Sequence, residues 1–291
     1  DGLIKKYREN LLVQSNQFDT NWVSIFTTET GGQTGYDGSS DAWLLTKTDA
    51  NGRVYQTISS SGVQSVSTYV KANASSWVHL RADYSGNFAG AFFDLSGSGA
   101  VGTTNNIIDS DISSVGSGWY RVRITFNKAI TLFRIYPAEG NNDTSGTTGS
   151  IYIQNAQLET GLVATDYLDS GATTAKAGVL IDLPRINYDA NGENGALLLE
   201  PQRVNAIQYS EYFEGWNLSG GTLTPNSTIS PEGVQNAYLY TEDTSTNYHR
   251  FNAGASATNS NKVYTIYAKL ADGAVNKWLT IDNGPTAWFD L

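Results

Sequence analysis

Asn10-Leu-Leu-Val-Gln-Ser-Asn-Gln-Phe-Asp-Thr-Asn-Trp22 decides how the chain is read, because a relative of it returns as Asn205-Ala-Ile-Gln-Tyr-Ser-Glu-Tyr-Phe-Glu-Gly-Trp216. Arg8 and Arg203, Asn10 and Asn205, Ser15 and Ser210, Phe18 and Phe213, and the acids Asp19 and Glu214 all stand 195 residues apart, with Trp22 and Trp216 one residue short of that. The same spacing carries Gly38 to Gly233, Ala42 to Ala237, Trp43 to Tyr238 and Leu44 to Leu239. It then drifts, as loops of unequal length make it do. Tyr69 and Lys71 match Tyr267 and Lys269 at 198, and Phe93-Asp94-Leu95 matches Phe289-Asp290-Leu291 at 196. A period this long exceeds that of solenoid repeats and means tandem whole domains.

The first domain is expected from about Asn10 to about Tyr167, after a leading linker over residues 1–9. Short runs of β-branched and aromatic residues bounded by Gly, Ser, Asn or Asp give candidate strands. They are Leu11 to Ser15, Val23 to Thr28, Ala42 to Thr48, Arg53 to Ser59, Gln64 to Ala72, Trp77 to Tyr84, Phe88 to Leu95, Trp119 to Asn127, Thr131 to Ala138 and Ser150 to Leu158. The clearest alternation sets Tyr120, Val122, Ile124 and Phe126 toward a core and Arg121, Arg123 and Thr125 toward water. Val66, Thr68 and Val70 alternate less cleanly with Ser67, Tyr69 and Lys71, leaving apolar residues on both faces. About ten strands of this kind predict an all-β, two-sheet sandwich.

Residues 168–200 read as a connector. Leu168 to Gly178 is small and polar, and the apolar runs Val179 to Ile186 and Ala196 to Glu200 flank a turn-rich loop, as in a hairpin. The second domain occupies 201–291 and holds only the N-terminal part of the plan, since Leu291 corresponds to Leu95 and the first copy needs its Trp119 to Leu158 strands as well. A sheet short of several strands leaves backbone groups unpaired beside a bared core. The natural chain is therefore expected to continue, or another chain to supply the rest.

Composition narrows function. A net charge of −10 argues against nucleic acid or anionic lipid as partners. No apolar run reaches the length of about 18 residues that a membrane helix needs, so no membrane insertion is expected. The chain has no cysteine, which removes disulfides, thiolate metal sites and thiol nucleophiles. His79 and His249 lie in different copies, and there is no H-E-x-x-H, phosphate loop, dinucleotide fingerprint or G-x-S-x-G elbow. Among 28 acids nothing local singles out a catalytic pair, and no enzyme is expected.

Binding fits the composition better. Sugar sites combine a flat aromatic platform with polar donors and acceptors, and the chain has seven Trp and seventeen Tyr. Aromatics kept in both copies, such as Trp22 with Trp216 and Trp43 with Tyr238, are assigned to packing. Those outside the shared pattern, Tyr36, Tyr84, Tyr136 and Tyr248, are candidate platforms, together with Trp77 and Trp278. Asp37-Gly-Ser-Ser-Asp41 offers the oxygens of Asp37 and Asp41 to a structural calcium, the one cofactor considered. It is shorter than an EF-hand loop, Asp-Gly is also a turn former, and the second copy has Glu232-Gly-Val-Gln-Asn236 there.

Four stretches give a family resemblance: Asn10 to Asp19, Gly118-Trp-Tyr-Arg-Val122, Ile151-Tyr-Ile-Gln-Asn-Ala-Gln-Leu-Glu-Thr-Gly-Leu-Val-Ala-Thr-Asp-Tyr167 and Leu197-Leu-Leu-Glu-Pro-Gln-Arg203. They resemble the carbohydrate-binding-module-like domains repeated in tailed-bacteriophage virion proteins, tail fibres above all. The resemblance implies tandem jelly-roll β-sandwiches, a virion or extracellular location, other virion proteins and host cell-surface glycan as partners, and a homo-oligomer, often a trimer. It implies adhesion or spacing and carries over no binding residues. The rival readings are a binding module of a secreted polysaccharide-degrading enzyme and a purely architectural virion protein.

Overall fold

The computed structural model describes residues 8–177, 185–187, 195–198, 205–253, 263–274, 278–282 and 286–291. The chain divides into two compact units, Gly2–Gln202 and Arg203–Leu291.

In the first unit the strands are β1 (Arg8–Asn10), β2 (Val23–Ile25), β3 (Thr27–Gln33), β4 (Ala42–Lys47), β5 (Arg53–Ser60), β6 (Val63–Ala72), β7 (Trp77–Tyr84), β8 (Asn87–Asp94), β9 (Ala100–Asn105), β10 (Asp109–Gly116), β11 (Trp119–Asn127), β12 (Ile130–Ala138), β13 (Ser150–Thr160), β14 (Ala175–Ala177), β15 (Arg185–Asn187) and β16 (Ala196–Leu198). One six-stranded sheet runs β10-β11-β6-β13-β4-β3 and a second runs β2-β5-β12-β7-β8-β9. The chain changes sheet between β2 and β3, β4 and β5, β5 and β6, β6 and β7, β9 and β10, β11 and β12, and β12 and β13. Repeated exchange of this kind makes a jelly-roll β-sandwich. The pairs β1 with β14 and β15 with β16 are small antiparallel ladders of their own.

The core follows from alternation. Tyr120, Val122, Ile124 and Phe126 of β11 are buried against the inner face of the other sheet, to which β7 gives Val78 and Leu80, β8 gives Phe93 and β12 gives Phe133 and Ile135. One end is closed by aromatics of the segment that opened the sequence reading. Phe18 lies 4.9 Å from Trp22, and Trp22 lies 6.2 Å from Phe133. Indole Nε1 of Trp22 donates to Gln14 O at 3.0 Å, and that of Trp43 to Asn16 O at 2.9 Å.

Five expectations are corrected. Leu11 to Ser15 is a bent segment and not a strand, held by the wholly buried Asn10 and by backbone bonds from Leu11 N–H to Leu158 O at 2.8 Å and from Ala156 N–H to Ser15 O at 2.9 Å. Val23 to Thr28 is broken at Phe26, whose φ of +53° sends β2 into one sheet and β3 into the other. Two edge strands, β9 and β10, were not expected. The outer side of β11 is covered, with Trp119 and Thr125 at most 1 % exposed. Finally, the stretch after Tyr167 is no free connector: Ser170 is buried, its hydroxyl donates to Leu12 O at 2.6 Å, and β14 pairs with β1.

Among the described residues there is no α-helix, and no helix is long and apolar enough to cross a membrane. In the second unit a 3-10 turn at Phe213–Gly215 precedes β17 (Asn217–Ser219), β18 (Gly221–Thr228), β19 (Ala237–Glu242), β20 (Arg250–Asn252), β21 (Trp278–Asp282) and β22 (Thr286–Asp290). They form three two-stranded ladders, β17 with β20, β18 with β19 and β21 with β22. None of its described apolar side chains is buried.

Candidate functional site

A polar cleft of about 620 Å³ opens on the first unit beside the outer face of the β6–β13–β4 sheet. Three pieces of chain build it.

The first is the loop over residues 34–41, between β3 and β4. Gly38, at φ +83°, makes its turn, and Gly35 N–H donates to Ser39 O at 2.9 Å. The wholly buried amide of Gln154, on β13, holds the loop from beneath. Its Oε1 accepts from Tyr36 N–H at 3.0 Å, and its Nε2 donates to Asp41 Oδ1 at 2.6 Å and Ser39 Oγ at 3.1 Å. A Cβ on Gly35 would stand 2.4 Å from Gln154 Oε1, which explains glycine there. Asp37 Oδ1 takes Ser39 N–H at 3.0 Å and its hydroxyl at 2.6 Å, and this hydroxyl bond above all lowers the Asp37 pKa.

The second piece is the outer face of β6 and β13. Tyr36 lies flat on Tyr69, with ring centroids 3.7 Å apart and planes 5° from parallel. Burial pushes the Tyr69 phenol up to about 12, against the pull of the Arg121 guanidinium 5.6 Å from its ring. A bulge in β13 between Gln154 and Gln157 puts Asn155 at φ +56° and turns it into the cleft. Its N–H donates to Asn16 Oδ1 at 3.0 Å.

The third is the segment after β13. Arg121 reaches out from β11 to Thr165 O and, at 3.2 Å, Ser67 Oγ, which pins this segment over the sheet. Tyr167 then shares a hydrogen bond of 2.6 Å with Ser15 Oγ and donates to Asp169 Oδ1 at 3.0 Å; burial pushes its phenol pKa up. Asp37, Asp41, Asp166 and Asp169 all reach the cleft, and its lining includes no Lys, Arg or His.

The six aromatics expected as platforms do not come together. Tyr36 is in the cleft. Trp77 and Tyr136 lie on the outer face of the other sheet, where β7 and β12 pair with Trp77 opposite Ala138 and Tyr136 opposite His79. Tyr136 is buried, its ring between His79 at 5.4 Å and the Arg53 guanidinium at 5.7 Å, so it has no free face for a sugar. Trp77 is half-buried with its ring against Gly102. Tyr84 packs against the core rim with Lys128 Nζ 5.1 Å from its ring. Tyr248 and Trp278 belong to the second unit and are exposed.

Tyr69, Tyr167 and Gln154 were missed. Tyr69 matches Tyr267, and an aromatic kept in both copies reads as packing; the signal for it is the mixed alternation of its strand, which marks a sheet covered on both sides.

Asp37 and Asp41 are brought together, but the Oδ1 of each already accepts from Ser39, and the Gln154 amide N–H group points at both. Among the described residues no three His, Cys, Asp or Glu side chains cluster as a metal site.

No protein-family model matches the chain, and no curated protein does. Several solved structures are similar to its fold. The enzymatically active domain of bacteriophage CBA120 tailspike protein 4 is 15 % identical at a TM-score of 0.31, over 51 % of this chain and 21 % of that one. The CBM22-1 xylan-binding domain of Paenibacillus barcinonensis Xyn10C is 15 % identical at 0.34, over 55 % of this chain and 100 % of that one. The carbohydrate-binding module CBM6cm-2 of Cellvibrio mixtus lichenase 5A, in complex with cellotriose, is 13 % identical at 0.28, over 53 % and 99 %. The chain thus spans about a fifth of the tailspike domain and essentially the whole of the two binding modules.

Proposed function

We propose that the first unit is a non-catalytic glycan-binding module, and that the chain serves a phage virion fibre in host-surface adhesion or spacing. The observation that carries the binding reading is the Tyr36 plate stacked on Tyr69 in a cleft whose other walls are carboxylates, amides, Tyr167 and Ser170. A pyranose offers one apolar C–H face and a rim of hydroxyls. The face suits the tyrosine, and the hydroxyls suit Asp37, Asp41 and Asp169, which accept, and Asn155, which both accepts and donates.

The lining favours uncharged sugars. Four aspartates without a lysine or arginine among them repel uronic acids and phosphates. The fibre setting is supported by the framework residues from Asn10 to Asp19 and from Ile151 to Tyr167, which resemble those of phage appendage domains. Several modules per particle turn weak single-site affinity into firm attachment.

The test is an array of bacterial surface polysaccharides probed with the whole chain and its Tyr36→Ala variant. We expect retention of a neutral glycan and a loss of about tenfold or more in the variant, the size of a lost aromatic stack, with the protein still folded and its stability lowered by only about 1 kcal/mol, the share of the Tyr36–Tyr69 stack. Silence across the array would leave only the spacer role.

A further inference from the structure

The outer face of the second sheet carries the opposite charge from the cleft. Its ladders line up one row of residues across all six strands: Val23, Tyr55, Arg134, Arg81, Gly90 and Asn105, each directly opposite the next. With neighbouring strands about 4.8 Å apart, the row runs about 24 Å. Arg53 stands one row over, opposite Ile25. Three guanidinium groups thus share one face of a chain whose net charge is −10.

These arginines are held in place, yet their donors are largely unspent. Asp83, on β7 and only 8 % exposed, takes a different arginine on each oxygen: Nε of Arg81 at 2.6 Å on Oδ1 and Nε of Arg134 at 2.5 Å on Oδ2. Contact through Nε leaves the Nη groups over. Arg134 Nη1 donates to Tyr136 OH at 3.3 Å, and among the described residues no hydrogen bond engages its Nη2 or either Nη of Arg81. Arg53 Nη1 donates to Asn51 O at 3.0 Å, while its Nε is buried without a partner there. An aromatic ring lies beside each guanidinium: Phe88 is 4.2 Å from Arg81, Tyr136 5.7 Å from Arg53 and Tyr55 5.8 Å from Arg134. Asp83 offsets one of the three charges, and Asp94 lies two rows from Arg81, opposite Trp77.

We propose that this face is a second saccharide site, and that its ligand is an acidic polysaccharide bound through uronate carboxylates. A guanidinium meets a planar carboxylate with two parallel N–H groups, a match that a hydroxyl cannot make. Because Asp83 and the rings fix the arginines beforehand, little side-chain freedom is lost on binding. A row of about 24 Å suits an extended chain better than one small anion, and the half-buried Tyr55 offers a sugar ring an apolar side. Three arginines match carboxylates scattered among neutral sugars. The unbroken phosphates of a nucleic acid would instead meet the field of the whole acidic chain. The acids that the aspartate-walled cleft turns away are therefore taken on the other sheet.

The experiment titrates the whole chain with hyaluronate and gellan, in which uronates alternate with uncharged sugars, with the carboxyl-reduced form of each, and with duplex DNA. One variant carries Arg81→Gln, Arg134→Gln and Asp83→Asn together, so that no buried carboxylate is left unpaired; a second carries Arg53→Gln alone. We expect a uronate polymer to bind, and its affinity to fall about tenfold or more on carboxyl reduction and in either variant, the size of a lost charge-assisted hydrogen bond. Tyr36→Ala should leave that affinity as it is, because the cleft lies on the other sheet, so failure of the cleft reading does not carry this one with it. The proposal is overturned if neither polymer binds, if the reduced polymers or the variants bind as the parent pair does, or if DNA binds as tightly as the uronates, which would mark a general attraction for anions.

Discussion

Asn10 is wholly buried, yet every hydrogen-bonding group of its side chain is matched. Its Nδ2 donates to Ala156 O and Leu168 O, and its Oδ1 accepts from Leu12 N–H and Leu158 N–H. Asn10→Ala strands four backbone groups at once, and with about 1–3 kcal/mol for each group left unpaired we expect a loss of about 3 kcal/mol or more in urea unfolding. His79 gives a pH signature. It is stacked on Phe92 at 4.0 Å, and burial, helped by the Arg81 charge, lowers its pKa to about 3. Because the unfolded imidazole titrates near 6.5, the contribution of neutral His79 is present above that pH and drains away as pH falls toward 3. Urea midpoints of His79→Phe should therefore fall less than those of the parent between pH 6.5 and 3. Tyr69 does the opposite at the alkaline end. Its raised pKa keeps the phenol neutral when folded, so its contribution is present below 10 and is lost as pH rises from 10 to 12. Absorbance titration of phenolate should show Tyr69 and Tyr167 ionising above the ordinary tyrosine value of 10, and Tyr69→Phe should soften the alkaline loss of stability.

Strands with strong alternation, such as Trp119–Asn127 and Ile130–Ala138, could be placed from the residues alone, because inward side chains there are large and apolar. β9 and β10 could not. They are made of Ala-Val-Gly-Thr-Thr-Asn and Asp-Ser-Asp-Ile-Ser-Ser-Val-Gly, lie at sheet edges and bury almost nothing, so only pairing with β8 and β11 defines them. Nor was the break at Phe26 visible, since a bulky residue at positive φ is set by its neighbours and not by its own preference. One of those neighbours is Gly52, where an added Cβ would stand 2.4 Å from Phe26 O. That atom is backbone and cannot swing aside. Gly52→Ala should cost about 2 kcal/mol, an ordinary size for forced overpacking. Gly35→Ala meets the end of the Gln154 side chain instead, and should weaken glycan retention more than it lowers the urea midpoint. The cleft itself was half seen. Tyr36, Asp37 and Asp41 come from one loop that reads as a site, whereas Tyr69, Tyr167 and Gln154 join it only through the sheet and the returning segment.

The whole chain pairs one closed sandwich with a second unit whose described apolar side chains are all at least partly exposed. Exchange in the first unit should be slowest along β6, β11 and β13, where both faces are covered, and the described amides of the second unit should exchange near the rate of unfolded chain. One feature of the closed sandwich governs how it is made. β13 sits at the centre of its sheet, where Ile153 is opposite both Trp43 and Val70, residues synthesised long before it. At ribosomal speeds of about 5–20 residues per second, β4 leaves the tunnel roughly ten seconds ahead of the strand that joins it to β6. Throughout that interval the nascent chain holds edges that cannot close, and on a crowded polysome they face the same edges of its siblings, so chaperone demand is set by the timing of a single central strand.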